Sequence, residues 1–275
     1  MLLTGIAVLS LILAFVTMFC LNLSLLALCA AFVGYAIVLA VLAFLFLWAV
    51  CSAVDMEKEQ EEDNKFYRTV MNLYISALKT LLIRVHTQGL EKIPTEGRFV
   101  LVCNHLALPD PCLLLAAFPN SELAFITKKE NQSLFLIAQI MHKILCQPID
   151  RENDRAALKT ILKCIQLIKE DKVNIAVFPE GYCSLDGKVH PFRSGVFKIA
   201  QKTNVPIVVC TLKGTDKVFS NMRKLRKTDV TLHLVDVIPA EDLKGKNTVE
   251  IGDMVYEMMI ADMGEEFRVK PEHNT

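Results

Sequence analysis

The pattern of polar and apolar positions divides the chain into three stretches. Through residue 54 there is no Asp, Glu, Lys or Arg, and a spanning helix needs about 20 apolar residues. Two helices fit, roughly 3–20 and 25–51, with the break at Leu21–Ser24, where Asn22 and Ser24 are polar. They predict a membrane hairpin, residues 1–54, that returns the chain to its starting side. A cleaved signal peptide is disfavoured: Met1–Gly5 holds no basic residue, and the apolar run continues past residue 30.

Residues 55–65 carry six acids and two lysines and read as a solvated connector. After it, Phe66, Val70, Leu73, Tyr74, Ala77, Leu78, Leu81, Leu82 and Val85 recur at helical spacing, and Gly89 follows as a stop. The second stretch, 55–92, is therefore an acidic connector and an amphipathic helix that covers the globular core or, given its closeness to the hairpin, lies at the membrane interface.

From Arg98 onward, short apolar runs alternate with helical ones. Strands are predicted at Phe99–Asn104, Leu123–Thr127, Asn174–Phe178, Ile207–Leu212 and Val230–Val237, and helices at 111–118, 132–142, 154–170, 194–203 and 248–260. Near-continuous apolar strands such as NIAVF and PIVVC are buried on both faces. The fold class is α/β, a largely parallel central sheet flanked by helices in residues 93–275. Ligands of such sheets bind beyond the carboxyl ends of the strands, which singles out the segments after Cys103 and Phe178.

Composition sharpens this picture. Of 275 residues 53% are hydrophobic, and the mean hydropathy of +0.38 points to a membrane. Thirty basic residues balance thirty acidic ones, which gives no support for a nucleic-acid partner. The nine cysteines are odd in number and form no C-x-x-C pair, so neither a disulfide framework nor a zinc site is indicated. Lys58, Lys65 and Arg68 follow the hairpin and favour a cytoplasmic catalytic domain.

Three loops carry candidate chemistry. The first strand runs into Asn104-His105-Leu106-Ala107-Leu108-Pro109-Asp110-Pro111. A His and an Asp five apart on one continuous helix would stand about 140° apart around its axis. The prolines break the helix, leaving His105 in the loop and Asp110 at the cap of the next helix. From there its carboxylate can turn back to His105 Nδ1 and leave Nε2 as a general base. Asp before Pro is also an ordinary helix start. In Phe178-Pro179-Glu180-Gly181-Tyr182-Cys183-Ser184, Gly181 permits a tight turn and Glu180 offers an acceptor for substrate hydroxyls, although P-E-G is also good turn composition. In Ile149-Asp150-Arg151 the arginine can fork onto a phosphate or sit in a solvated ion pair. Cys103 and Cys183 have no assignable base and read as structural, and Ser184 sits in no G-x-S-x-G elbow.

These residues, in this order, resemble the lysophosphatidate (1-acyl-sn-glycerol-3-phosphate) acyltransferase family over about residues 80–240. The family's N-H-x-x-x-x-D stands here as Asn104, His105 and Asp110. Its I-D-R is Ile149, Asp150 and Arg151, with Leu145 and Pro148 where Gly and Phe are usual. Its F-P-E-G-T-R-S is met at Phe178, Pro179, Glu180, Gly181 and Ser184, with Tyr182 for the Thr and Cys183 for the Arg. The resemblance implies a membrane enzyme of phospholipid biosynthesis. It implies His105 and Asp110 as the catalytic pair, and Asn104, Arg151, Glu180, Gly181 and Ser184 as substrate-binding residues. The implied reaction carries a fatty acyl group from acyl-CoA or acyl carrier protein to the hydroxyl of lysophosphatidic acid at the bilayer, with no metal or cofactor. In the family the missing arginine is associated with the acceptor phosphate. Arg151 is left to hold it, alone or with Lys128, Lys129 or Arg193, or else the acceptor is another lysolipid or an amino-acid lipid. A non-catalytic lipid-binding scaffold is the alternative of another class. The basic stretch Lys213 to Lys227 reads as a solvated loop or a contact for anionic headgroups or an acidic carrier.

Overall fold

The computed structural model describes residues 2–22, 24–184 and 186–269, so Leu23 in the predicted break lies outside the described residues. The uncharged stretch forms helices α1 (Leu2–Leu21) and α2 (Leu25–Ser52), both long and apolar enough to cross a membrane. Ser24 caps α2 by accepting from the Ala27 N–H, and a hydrogen bond of 2.7 Å between Thr17 Oγ1 and Tyr35 Oη ties the two helices. Ile12, Phe15, Phe44 and Trp48 point outward, exposed, as hydrocarbon-facing side chains do.

Helix α3 (Lys65–Leu82) starts at Asn64, whose side chain accepts from the Phe66 and Tyr67 N–H groups. Its Val70, Met71 and Ile75 are buried, while Tyr67 Oη donates to the Val50 carbonyl at 3.1 Å and Tyr74 Oη to that of Ala43. The helix therefore joins α2 to the globular core. Arg68 pairs with Asp63 at 2.5 Å and donates to the Leu123 carbonyl at 3.1 Å. The predicted helix runs to Val85, but α3 stops at Leu82 and Ile83–Gln88 form strand β1. Apolar positions from 81 to 85 satisfy both periods, and alternation of Ile83, Val85 and Thr87 with Arg84, His86 and Gln88 marks the strand. The stretch through residue 92 thus gives the sheet an edge strand.

The remaining elements alternate: β2 (Val100–Cys103), α4 (Asp110–Ala117), β3 (Leu123–Lys128), α5 (Ile137–Lys143), β4 (Gln147–Ile149), α6 (Asp154–Lys169), β5 (Asn174–Val177), α7 (Lys198–Thr203), β6 (Ile207–Lys213), α8 (Val218–Arg223), β7 (Thr228–Ile238) and α9 (Thr248–Met263). The seven strands lie in the order β1-β7-β6-β2-β5-β3-β4. Every pair is parallel except β6 with β7, so the sheet is mixed and mostly parallel. β2 lies at its centre between β5 and β6, buried throughout. Two apolar clusters cover the faces, one containing Leu101, Leu114 and Leu232, the other Val102, Ile175 and Met259.

Three other expectations shift. β4 escapes the sequence pattern because it is a three-residue edge strand containing Pro148. The helices predicted at 132–142 and 194–203 each open as a 3-10 segment, Lys129–Ser133 and Ser194–Phe197, before α5 and α7. Within the basic stretch, α8 replaces part of the expected loop and buries Val218.

Candidate active site

The site begins where β2 leaves the sheet. Asn104 is buried, and its side chain accepts from the Leu212 N–H at 2.7 Å and donates to the Leu212 carbonyl at 3.0 Å. It continues the β2–β6 pairing through a side chain and fixes the backbone position from which His105 departs. Both polar ends are thereby used, and Asn104 braces the loop.

The prolines act as the sequence suggests, with one shift: Pro109 takes the cap and Asp110 is the first helical residue of α4. The buried Asp110 Oδ2 accepts from His105 Nδ1 at 2.9 Å, and from the N–H groups of Leu106 and Ala107 at 2.7 and 2.9 Å. A carboxylate so held orients the imidazole through Nδ1 and leaves Nε2 free for chemistry. Phe178 stacks on the ring with centroids 4.2 Å apart and planes 19° from parallel.

The segment after β5 is bound to the same loop. Glu180 is 1% exposed; its Oε1 accepts from the His105 N–H at 2.8 Å and its Oε2 from the His190 N–H at 3.0 Å. Burial pushes this carboxyl up to about 7, against the two backbone bonds that favour its charge. With both oxygens bonded, Glu180 anchors the backbone of His105, and it is not among the residues that line the cavity described below. The buried Ser184 is not among the residues lining the cavity described below: its N–H donates to the His105 carbonyl at 2.7 Å and its Oγ to Asp186 at 2.8 Å. Gly181 has a φ of 83°, and a Cβ there would meet the Arg193 side chain at 3.1 Å.

Cys183 departs most from expectation. Its Sγ lies 3.3 Å from His105 Nε2, so the cysteine without an assignable base sits directly on one. The sequence does not reveal this because the two residues are 78 positions apart. Burial disfavours the imidazolium, but the bonds to Asp110 and Cys183 and their charges outweigh it, raising His105 from an ordinary 6.5 to about 9.

His105, Gly181 and Cys183 open onto a cavity of about 660 Å³. Phe125, Ile126, Leu158 and Ile161 supply apolar wall, and Arg151 and Arg193 supply charge. Burial and the nearby Arg193 lower the Arg151 pKa, while Glu130 pulls the other way. Of the other cations considered, Lys128 also lines the cavity and pairs with Glu130 at 3.2 Å. Lys129 is engaged by Asp150 at 3.1 Å. Among the described residues, no group of three or more His, Cys, Asp or Glu side chains is placed to hold a metal ion.

An acyltransferase family model matches residues 84–213, which include every site residue named above. A chloroplast 1-acyl-sn-glycerol-3-phosphate acyltransferase of Brassica napus is 32% identical over 155 residues, 56% of this chain and 44% of its own. A probable 1-acyl-sn-glycerol-3-phosphate acyltransferase of Mycoplasma pneumoniae is 34% identical over 171 residues, 60% of this chain and 61% of its own. In these matches the chain is similar to lysophosphatidate acyltransferases. The crystal structure of the 1-acyl-sn-glycerophosphate acyltransferase of Thermotoga maritima shares this fold, with a TM-score of 0.61 and 24% identity across 82% of this chain and 89% of that one. The match with the two curated relatives spans about half of their own lengths, 44% and 61%.

Proposed function

We propose that the chain is a membrane-bound acyltransferase that transfers a fatty acyl group from an acyl thioester, on CoA or acyl carrier protein, to the hydroxyl of lysophosphatidic acid, giving phosphatidic acid. The observation that carries this reading is the Nδ1–Oδ2 bond of 2.9 Å between Asp110 and His105, which lines an apolar, arginine-bearing cavity. His105 Nε2 removes the hydroxyl proton, the oxygen attacks the thioester carbonyl, the carbon–sulfur bond breaks, and the proton passes to the departing thiolate. Asp110 fixes the tautomer and stabilises the imidazolium. This chemistry calls for no metal or cofactor.

The cavity walls suit the substrates. Phe125, Ile126, Leu158 and Ile161 offer an apolar surface to the acyl chain. Arg151 and Arg193 face a shared space, and neither is in an ion pair among the described residues. Two like charges held near each other favour an anion between them, and a guanidinium fork matches a phosphate. In this reading they replace the family arginine whose position holds Cys183.

The hairpin supports a site at the bilayer. Cys51 at the end of α2 reaches the Leu136 carbonyl at 3.8 Å, and the flanking Leu134, Phe135 and Ile137 are exposed apolar side chains. The catalytic domain then rests on the cytoplasmic face with these residues toward the lipid, where acceptor and product reside.

The test is acyl transfer by the full-length protein in detergent, with a labelled acyl thioester and a panel of lysolipids. Selective acylation of lysophosphatidic acid, lost in His105→Ala, is expected. Turnover confined to zwitterionic or uncharged acceptors would overturn the acceptor, and an unimpaired His105→Ala would overturn the mechanism.

A further inference from the structure

A hydroxyl that surrenders its proton to His105 must approach Nε2, because Nδ1 is committed to Asp110. That approach is occupied. Cys183 Sγ stands 3.3 Å from Nε2, and Phe178 stacked on the ring restrains the imidazole from turning away. Sulfur, base and orienting carboxylate thus follow one another as nucleophile, base and orienter. The other cysteines of the globular part differ. Burial pushes the thiols of Cys103, Cys146 and Cys164 up, and none of them lines the cavity. Cys183 is half-buried, lines it, and touches a base.

We propose that Cys183 is the first acyl acceptor, dividing the transfer into two steps; the identity of the substrates rests on the reading above. In the first step the Cys183 thiol gives its proton to His105 Nε2 and Sγ attacks the carbonyl carbon of the donor thioester. The Sγ–C bond forms, the donor C–S bond breaks, and the proton passes from Nε2 to the departing thiolate. One thioester replaces another, so no oxidant, reductant or metal enters. In the second step the lysolipid hydroxyl gives its proton to the now neutral Nε2 and its oxygen attacks the acyl carbon. The C–Sγ bond breaks, and the proton returns to Sγ. Acylation of Cys183 also takes the thiol proton from the vicinity of Nε2, leaving that nitrogen to the lipid hydroxyl.

The experiment uses the full-length protein in detergent with labelled palmitoyl-CoA and no acceptor, followed by intact-mass measurement and peptide mapping. One hydroxylamine-labile acyl group on Cys183 is expected, absent in Cys183→Ala and in His105→Ala. Addition of lysophosphatidic acid should discharge the label into lipid product, and initial rates should give the parallel reciprocal plots of a ping-pong reaction. Cys183→Ser keeps the size and hydrogen bonding of the side chain, so it would rescue a merely structural role; here it should form no hydroxylamine-labile adduct and should not restore turnover. Lysolipid turnover with no adduct, and with Cys183→Ala fully active, would overturn the proposal and leave the acyltransferase reading intact. An adduct that discharges only to water would support Cys183 and overturn the lipid acceptor. Neither adduct nor lipid product would overturn both.

Discussion

Cys183 Sγ lies 3.3 Å from His105 Nε2, the ring nitrogen that Asp110 leaves free. The imidazole is therefore bonded at both ends, and its pKa rises to about 9 against the opposing effect of burial. Because the folded-state value exceeds the ordinary 6.5, protonation of His105 favours the folded protein. That contribution is fully present below pH 6.5 and is lost as pH rises through about 9. The melting temperature of the wild type relative to His105→Gln should accordingly fall across this window. NMR titration of the ring should place its midpoint near 9, and lower in Cys183→Ala, where one partner is gone. An unmoved midpoint in that variant would remove Cys183 from the electrostatics of the site.

Asp110→Asn isolates the charge behind the base. The amide oxygen can still accept from the Leu106 and Ala107 N–H groups, which now bond to Oδ2, so the loop should keep its shape. What disappears is the negative charge facing the imidazolium during transfer. We expect turnover to fall by about 10²–10⁴-fold, as for loss of a general-base partner, with little change in the KM for either substrate. Steady-state kinetics beside a circular dichroism spectrum decides it: activity within a few-fold of wild type would make Asp110 a loop brace only.

Much of this arrangement is legible in the sequence, where chemistry and local order coincide. The central strands reveal themselves as short, fully apolar runs, and Pro109 and Pro111 separate His105 from Asp110 so that the pair can close. What stays hidden depends on distant partners. Asn104 is braced by Leu212, 108 residues on, and Glu180 by the backbone of His105, 75 residues before it. Nothing local tells such a brace from a substrate contact. β1 is hidden because its first residues also continue the helical pattern of α3, and the proline in β4 argues against a strand even though its edge position tolerates one.

Asn104→Ala distinguishes brace from substrate contact. Removing the side chain strands the buried N–H and carbonyl of Leu212, and an unsatisfied buried group costs about 1–3 kcal/mol. The variant should unfold at lower temperature and denaturant concentration, and whatever folded protein remains should bind lysophosphatidic acid normally. A raised KM with unchanged stability would restore Asn104 to the substrate surface.

Arg151 and Arg193 present the final test, because they are asked to do what the family arginine does elsewhere. A hydrogen bond to a charged group contributes about 1.5–3 kcal/mol, equivalent to roughly 10- to 150-fold in affinity. Arg151→Ala should raise the KM for lysophosphatidic acid by that factor while the KM for the acyl donor and the rate on an uncharged lysolipid hold. Arg151→Lys keeps the charge but loses the fork, and should recover only part of the loss. Arg193 packs against Gly181, so Arg193→Lys, which retains most of the stem, is the cleaner change there. If both guanidiniums grip one phosphate, the combined variant should lose less than the sum of the single losses in free energy. Independent, fully additive losses would instead place the phosphate on one arginine and leave the other to the donor.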